Sequence, residues 1–423
     1  MKIAIIGSGI SGLTAAHYLR ARHDITVFEA NAYVGGHTNT QDVEFDGERH
    51  RIDTGFIVFN DWTYPNFIRL LDEIGVPSQP TDMSFSVRCD LTGLEYNGSN
   101  LNGLFAQRQN LFRPRFYRML RDILRFNRES LALLKSDNEE LTIGEYIREA
   151  KYSQEFVDHY LFPMGSAIWS CPPNTFAQFP IRFVVEFYRN HGLLSVTKRP
   201  IWRVIQNGSR TYVDALTRPF RDRIVLNCPV QSVRRSPDGV DVYSAVRGTQ
   251  RFEHVIFACH SDQALRMLAD PRATEIELLG AFPYEANVAV LHTDSTVLPR
   301  RRRAWAAWNY HIQNAASEKA TVTYNMNILQ GLQSRHVFCV TLNGEDHISP
   351  QRIIQRIHYQ HPIYTTRRAA AQQRHHELID ANDTSFCGAY WGSGFHEDGV
   401  KSALAVCQSL NAKQRTLAQS STM

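Results

Sequence analysis

Residues 3–6 (Ile-Ala-Ile-Ile) form a short apolar run with no polar break, the texture of a strand buried on both faces in a parallel sheet. Gly7-Ser8-Gly9-Ile10-Ser11-Gly12 interrupts it at once, and Leu13, Ala16 and Leu19 then recur at helical spacing. Residues 24–28 return to strand texture. Residues 43–48 read as a strand entering an Asp46-Gly47 hairpin turn, and the return strand leads into 52–57 (Ile-Asp-Thr-Gly-Phe-Ile). From Pro114 onward, apolar positions 116, 119/120 and 123/124 give the stripe of an amphipathic helix. Residues 221–235 and 255–259 are strand-like again, and 386–404 read as strand, glycine-rich loop and helix. The pattern predicts an α/β fold.

The first turn carries chemistry. In Gly-x-Gly-x-x-Gly between a strand and a helix, Gly7 makes the tight turn, Gly9 admits a pyrophosphate to the backbone, and Gly12 lets helix and strand pack closely. The helix N-terminus, including Ser11, offers free N–H groups and a positive dipole end to that anion. Glu29, at the end of the next strand, stands where an acid accepts hydrogen bonds from an adenosine ribose. Those residues alone suit NAD and FAD equally.

A second glycine pair, Gly35-Gly36, followed by His37-Thr38, separates the two. Gly7, Gly9, Gly12, Leu13, Ala16, Leu19, Val27, Glu29, Ala30, Gly35 and Gly36 together match a long fingerprint, and through it the chain resembles the flavin amine oxidase superfamily, with its phytoene desaturase-like and protoporphyrinogen oxidase-like members. The resemblance implies FAD, with Gly35 and Gly36 beside the pyrophosphate. His37 stands where many members carry Arg. It further implies a flavin-ring contact at Thr54-Gly55, an adenine contact at Val230, a return to the FAD domain at Ala258, and a small-residue loop and helix start near the flavin pyrimidine at Gly388, Gly394, Asp398, Gly399 and Val400. The spelling Trp-Gly-x-Gly-Phe-His-Glu-Asp-Gly (391–399) is similar to a bacterial subgroup of NAD/FAD-binding proteins, some tied to fatty-acid modification. The implied fold is α/β (α+β overall): a Rossmann-like FAD-binding domain of residues 1–80, 207–270 and 365–418, interleaved with a mixed-sheet-plus-helices substrate domain of 81–206 and 271–364.

Composition narrows the setting. Hydrophobic residues make up 43% and charged residues 21%, a globular composition, and a net charge of +4 gives no reason to expect a nucleic-acid partner. Seven scattered cysteines without a Cys-x-x-Cys pair favour reduced thiols in the cytoplasm and no metal site; His375-His376 lacks ligand spacing. A secretory-signal reading of the N-terminus fails on the glycines and serines that break its apolar run. Residues 105–129 interleave seven Arg with aromatic and aliphatic residues, a texture suited either to the inner face of a membrane or to a helix that buries its stripe in its own domain. Arg300 to Arg303 form a second basic run.

For the chemistry, His396 within the flavin-ring motif and His311 are acid/base candidates, since His titrates near neutrality. Trp308, Tyr310 and Tyr324 are expected along one pocket wall, with Asn309, Asn325 and Asn327 as uncharged orienting groups. Amine oxidases of the superfamily commonly place a Lys near flavin N5; the matching strand position here is Asn287, which argues against amine oxidation. The reading is hydride removal from an apolar, acyl-lipid substrate to FAD, with oxygen or another acceptor reoxidising the flavin. Beside it stand redox-neutral double-bond isomerisation, amine oxidation, and a non-catalytic FAD-stabilised partner protein.

Overall fold

Five strands from three distant stretches of chain build one parallel sheet, in the order Ile224–Val225, Asp24–Phe28, Lys2–Ile6, His254–Phe257, Thr384–Phe386. Its register pairs Ile3 with Ile25 on one side and with His254 on the other. Apart from Lys2, Asp24, Thr26 and His254, the three inner strands are apolar, because both faces are covered. On one face, the helices Ile10–Leu19 and His396–Ser420 lie together, with Leu13, Ala16 and Leu19 against Val400, Ala403, Val406 and Leu410. On the other, a three-stranded antiparallel sheet (Val230–Ser236, Gly239–Ser244, Gly248–Phe252) packs through Val233, Val240 and Phe252. In this computed structural model the described residues are 1–135, 138, 140–313, 321–363, 365 and 367–420, with 414–420 described as helix backbone alone. Residue 364, the expected domain boundary, lies outside them.

A second, seven-stranded sheet runs in the order Ile353–Pro362, Tyr284–His292, Cys339–Leu342, Val322–Asn325, Trp308–Ile312, Phe85–Cys89, Leu94–Asn97. All its pairings are antiparallel except that of Trp308–Ile312 with Phe85–Cys89. Beside it stands a helical cluster with an aromatic core of Phe126, Phe156, Trp169, Phe176, Phe179 and Tyr188. The two halves are knitted by a small sheet in which Trp202–Ile205 lies between Val58–Asn60 and Ser78–Pro80. Asp53, fully buried, ties the join. It accepts hydrogen bonds from Thr40 Oγ1 (2.5 Å), the Ser209 backbone and hydroxyl (2.9 Å each) and Gln330 Nε2 (3.0 Å), while burial lifts its pKa to about 6. Asn207 holds a left-handed φ of +63° at this turn, a conformation asparagine tolerates better than most residues.

The hairpin reading is met: Thr40–Phe45 pairs with Glu48–Asp53 across Asp46 (φ +49°) and Gly47 (φ +77°). Within the basic segment, Pro114–Glu129 is the helix, and it buries Phe116, Met119 and Phe126 inside the protein. Its arginines are engaged: Arg118 with Glu155 (3.5 Å), Arg125 with Glu129 (2.8 Å) and over the Tyr152 ring (4.4 Å). Among the described residues no helix is long and apolar enough to cross a membrane. Because the helix is anchored by its buried stripe, Phe126→Ala should cost about 3–5 kcal/mol in urea unfolding, whereas Leu124→Ala, at an exposed position, should stay within about 0.5 kcal/mol.

Candidate functional site

The ends of the parallel strands open into a cavity of about 1340 Å³ that runs between the two halves. It exceeds the roughly 300–1,000 Å³ of an ordinary single-ligand pocket, leaving room for a large cofactor and a second molecule.

One end is polar and made of backbone. Gly7 has φ +106°, and a Cβ there would lie 2.7 Å from the Ala258 carbonyl oxygen; a Cβ on Gly12 would overlap the Gly7 carbonyl oxygen. The turn therefore closes only with glycine. A Cβ on Gly9, by contrast, would meet nothing within 4 Å, so this residue faces the open space that a phosphate group needs. Glu29, 5% exposed, accepts from Ser8 N (3.0 Å) and Ser8 Oγ (2.5 Å) on one oxygen and from Asn31 N (2.8 Å) and Nδ2 (2.9 Å) on the other. Two of these donors are side-chain groups, whose place at the carboxylate a ribose diol can take. Ala30, Gly35, Gly36, Val230 and Ala258 line the same end.

The middle is shaped by Thr54-Gly55 and by the loop 388–396. Gly388 and Gly394 line the cavity. Asp398, one of the expected cofactor contacts, instead sits behind the loop. It accepts from Ser393 N (2.9 Å) and Phe395 N (3.0 Å) and fixes the loop's path. The long helix begins at His396, earlier than expected, so Gly399 N–H is already taken by the Phe395 carbonyl and Val400 is wholly buried in the core. Gly399 is a packing glycine whose missing side chain makes room for Ile10 and Ser11. Glu397, which the sequence did not single out, accepts from Asn66 N and Phe67 N (2.9 Å) at the start of helix Pro65–Glu73, a carboxylate at a positive helix end.

His396 lines the cavity, stacked on Phe56 at 3.4 Å, with Nε2 shared between Thr38 Oγ1 (3.0 Å) and Tyr212 Oη (3.1 Å). Complete burial pushes its pKa to about 3. The ring is thus neutral near pH 7 and oriented by Thr38, Tyr212 and the Phe56 face. Trp308 and Tyr324 do line the cavity, their rings 5.1 Å apart and nearly perpendicular. Tyr310, two residues further along its strand, has passed beyond the cavity and is buried in the second core. His311 points to the opposite face, where it bonds Asp90 at 2.7 Å; strand alternation takes it away from the site. Asn287 reaches the wall only through His361, whose Nδ1 lies 3.1 Å from its amide.

The far arm is apolar: Tyr160 from the π-turn Val157–Leu161, Met164, Ile168 and Trp169 from the helix Phe162–Trp169 that follows it, Phe187 from another helix, Phe85 from the sheet and Met83 just before it. No single residue type marks this wall, and the run 160–169 reads in sequence as ordinary core. His260 and His361 also face the cavity and were missed; His260 follows the matched Ala258 by two residues, which is the one signal available.

A family model described as flavin containing amine oxidoreductase matches residues 10–357. Among solved structures, the chain is similar to cyclohexylamine oxidase from Brevibacterium oxydans IH-35A at 16% identity, over 97% of this chain and 99% of that one, with a TM-score of 0.68. It is similar to putrescine oxidase bound to putrescine at 14% identity, over 97% and 99%, with a TM-score of 0.68. It is similar as well to a CLA-producing fatty acid isomerase from P. acnes at 14% identity, over 96% and 98%, with a TM-score of 0.68. No curated protein matches the sequence. With the carboxylate of Glu29 as the ribose contact, Glu29→Ala should weaken FAD retention at least tenfold, read as yellow colour lost on dialysis; a variant that stays fully loaded contradicts that contact.

Proposed function

The chain belongs to the flavin containing amine oxidoreductase family, and from that membership we propose that this FAD-dependent oxidoreductase acts on an apolar, acyl-chain substrate. FAD, when bound, supplies the two-electron acceptor. The observation that carries the substrate class is the wall of the far arm, built from Tyr160, Met164, Ile168, Trp169 and Phe187. Among the described residues no lysine lines the cavity, and its carboxylates are Glu29, engaged at the nucleotide end, and Asp82, exposed at the rim. Against this wall a substrate gains from apolar burial, about 25 cal/mol per Å².

The protein's part is to place a C–H bond and keep water away. The loop 388–396, braced by Asp398, sets one side of the reacting space, and neutral His396 on Phe56 gives it a rigid wall. Transfer of a hydride to bound FAD and of the adjacent carbon's proton to bulk solvent would leave a double bond, and oxygen or another two-electron acceptor would reoxidise the flavin. One observation favours a second reading: the perpendicular Trp308 and Tyr324 rings form a corner of the kind that attracts an ammonium group. Anaerobic mixing of holoenzyme with long-chain fatty acids and with alkyl amines separates them. Persistent bleaching of the flavin band by the acids alone is expected; a double-bond shift without net bleaching indicates isomerisation, and bleaching by amines alone overturns the acyl reading.

The surface supports delivery from a lipid bilayer. Leu101 (76% exposed) and Phe112 (86%) are exposed in the same stretch of chain as Arg108 and Arg115, and Ser99, two residues before Leu101, lines the cavity. Basic and apolar groups together suit an anionic interface on the cytoplasmic side. The protein should sediment with vesicles containing phosphatidylglycerol and not with phosphatidylcholine alone, and Phe112→Ala should reduce that binding; equal binding to both, or none, contradicts it.

A further inference from the structure

Arg199 and Arg266 are the arginines that line the cavity among the described residues. Arg266 stands on the helix Ser261–Met267, which follows Ala258, and is paired with Asp262 at 2.7 Å. Arg199 is exposed, and no carboxylate of the described residues lies within 4.0 Å of its side-chain nitrogens. It is a cation on the cavity wall without a counter-charge.

The loop 192–200 holds this residue in place. Gly192 has φ +68°, and a Cβ there would lie 2.7 Å from Pro200 Cδ and 3.2 Å from Arg199 Cα, so the loop closes on itself at its neck. Inside it, Ser195 Oγ accepts from Lys198 N at 2.9 Å, and the Ser195 carbonyl accepts from Arg199 Nε at 3.2 Å. Just beyond, Ile201 N donates to Asp61 Oδ1 at 2.8 Å and Asp61 N donates to the Ile201 carbonyl at 3.3 Å, which fastens the exit. The guanidinium thus commits Nε to its own loop and keeps its two terminal nitrogens, a fork that can meet both oxygens of a carboxylate.

A row of rings joins this loop to the reacting space. Phe395, in the loop 388–396, stacks on Phe187 at 5.2 Å, and Phe187 stacks on His191 at 3.8 Å. His191 in turn faces Trp202, three residues after Arg199, at 6.2 Å. All four rings line the cavity. Leu193 and Leu194, at the start of the loop, pack into the cluster that holds Tyr160 and Phe187. Tyr160 lines the cavity as well; burial pushes its phenol up, and the nearby Arg199 guanidinium opposes that push.

Resting on the acyl-chain reading of the cavity, we propose that Arg199 receives the carboxylate of a free fatty acid, with the Tyr160 hydroxyl as a second donor, while the chain follows the Trp202, Phe187 and Phe395 row inward. The site then selects free acids over esters and thioesters, whose carbonyl oxygen carries no charge for the fork to meet. Water screens an exposed cation and keeps the preference modest, and two parallel bonds raise it.

Titration of the holoenzyme with oleate and with methyl oleate at neutral pH tests this, read by quenching of tryptophan fluorescence, since Trp169, Trp202 and Trp308 line the cavity. Oleate should bind about five- to tenfold tighter than the ester. Arg199→Gln should remove that preference by weakening oleate alone, and Arg199→Lys should restore part of it, because the charge returns without the fork. Tyr160→Phe should weaken oleate by about threefold. Lys198→Gln, at a neighbouring exposed position outside the cavity wall, should leave the acid-to-ester ratio unchanged. Equal wild-type affinity for acid and ester, or a wild-type ratio in Arg199→Gln, would overturn the carboxylate anchor and leave the acyl-chain reading standing. A loss in Lys198→Gln as large as in Arg199→Gln would also overturn it, by showing diffuse attraction instead of a fork. Binding of alkyl amines with neither lipid bound would remove the acyl-chain reading itself, and the anchor with it.

Discussion

Backbone pressed against backbone at the ends of the parallel strands is the constraint on which the site depends. Gly7 lies on the Ala258 carbonyl, Gly12 on Gly7, and Gly36 on Gly9, so three distant stretches of chain meet where no side chain fits. The closeness leaves N–H groups and an open face at Gly9 directed into one space, and the helix Ile10–Leu19 adds its positive end. Everything further along the cavity is positioned from that fixed end. The long C-terminal helix lies on the first helix, and its N-terminal loop is thereby set over the middle of the cavity.

Burial, more than charge pairing, decides the electrostatics. His37, His361 and His396 are all held neutral by desolvation, and Asp53 is pushed up to about 6 despite four donors. A wall of this kind suits an uncharged reacting group. The cavity thus has a polar end at the glycine turn and an apolar end, the arrangement on which the proposed acyl-chain reading rests.

Local patterns in the sequence were legible where a residue type had a backbone reason to be there. The glycine turn, Glu29, the Asp46-Gly47 hairpin and the strand-loop-helix at 386–404 all follow from turn geometry and periodicity, and all occur. The helix Pro114–Glu129 was visible too, but whether its apolar stripe met lipid or protein depended on partners from 152–156 that periodicity cannot name. Side-chain roles were harder. Asp398 and Gly399 sit in the right motif yet brace the loop from behind, because the helix starts three residues sooner than the glycine suggested. Tyr310 and His311 share a strand with Trp308, but rise and alternation carry them out of the cavity. Asn287 lies on the strand Tyr284–His292 but reaches the cavity wall only through His361, while the histidines and aromatic helices that complete the walls come together only in three dimensions.

The central claim is that one cavity holds FAD at its glycine end and an acyl chain at its apolar end. Photolabelling the holoenzyme with a long-chain fatty acid bearing a terminal diazirine, followed by peptide mass spectrometry, tests it most directly. The account predicts crosslinks in 160–169 and at Phe187, competed by unlabelled fatty acid and not by free FAD. Labelling confined to the outer surface near Phe112, or labelling displaced only by FAD, would contradict it.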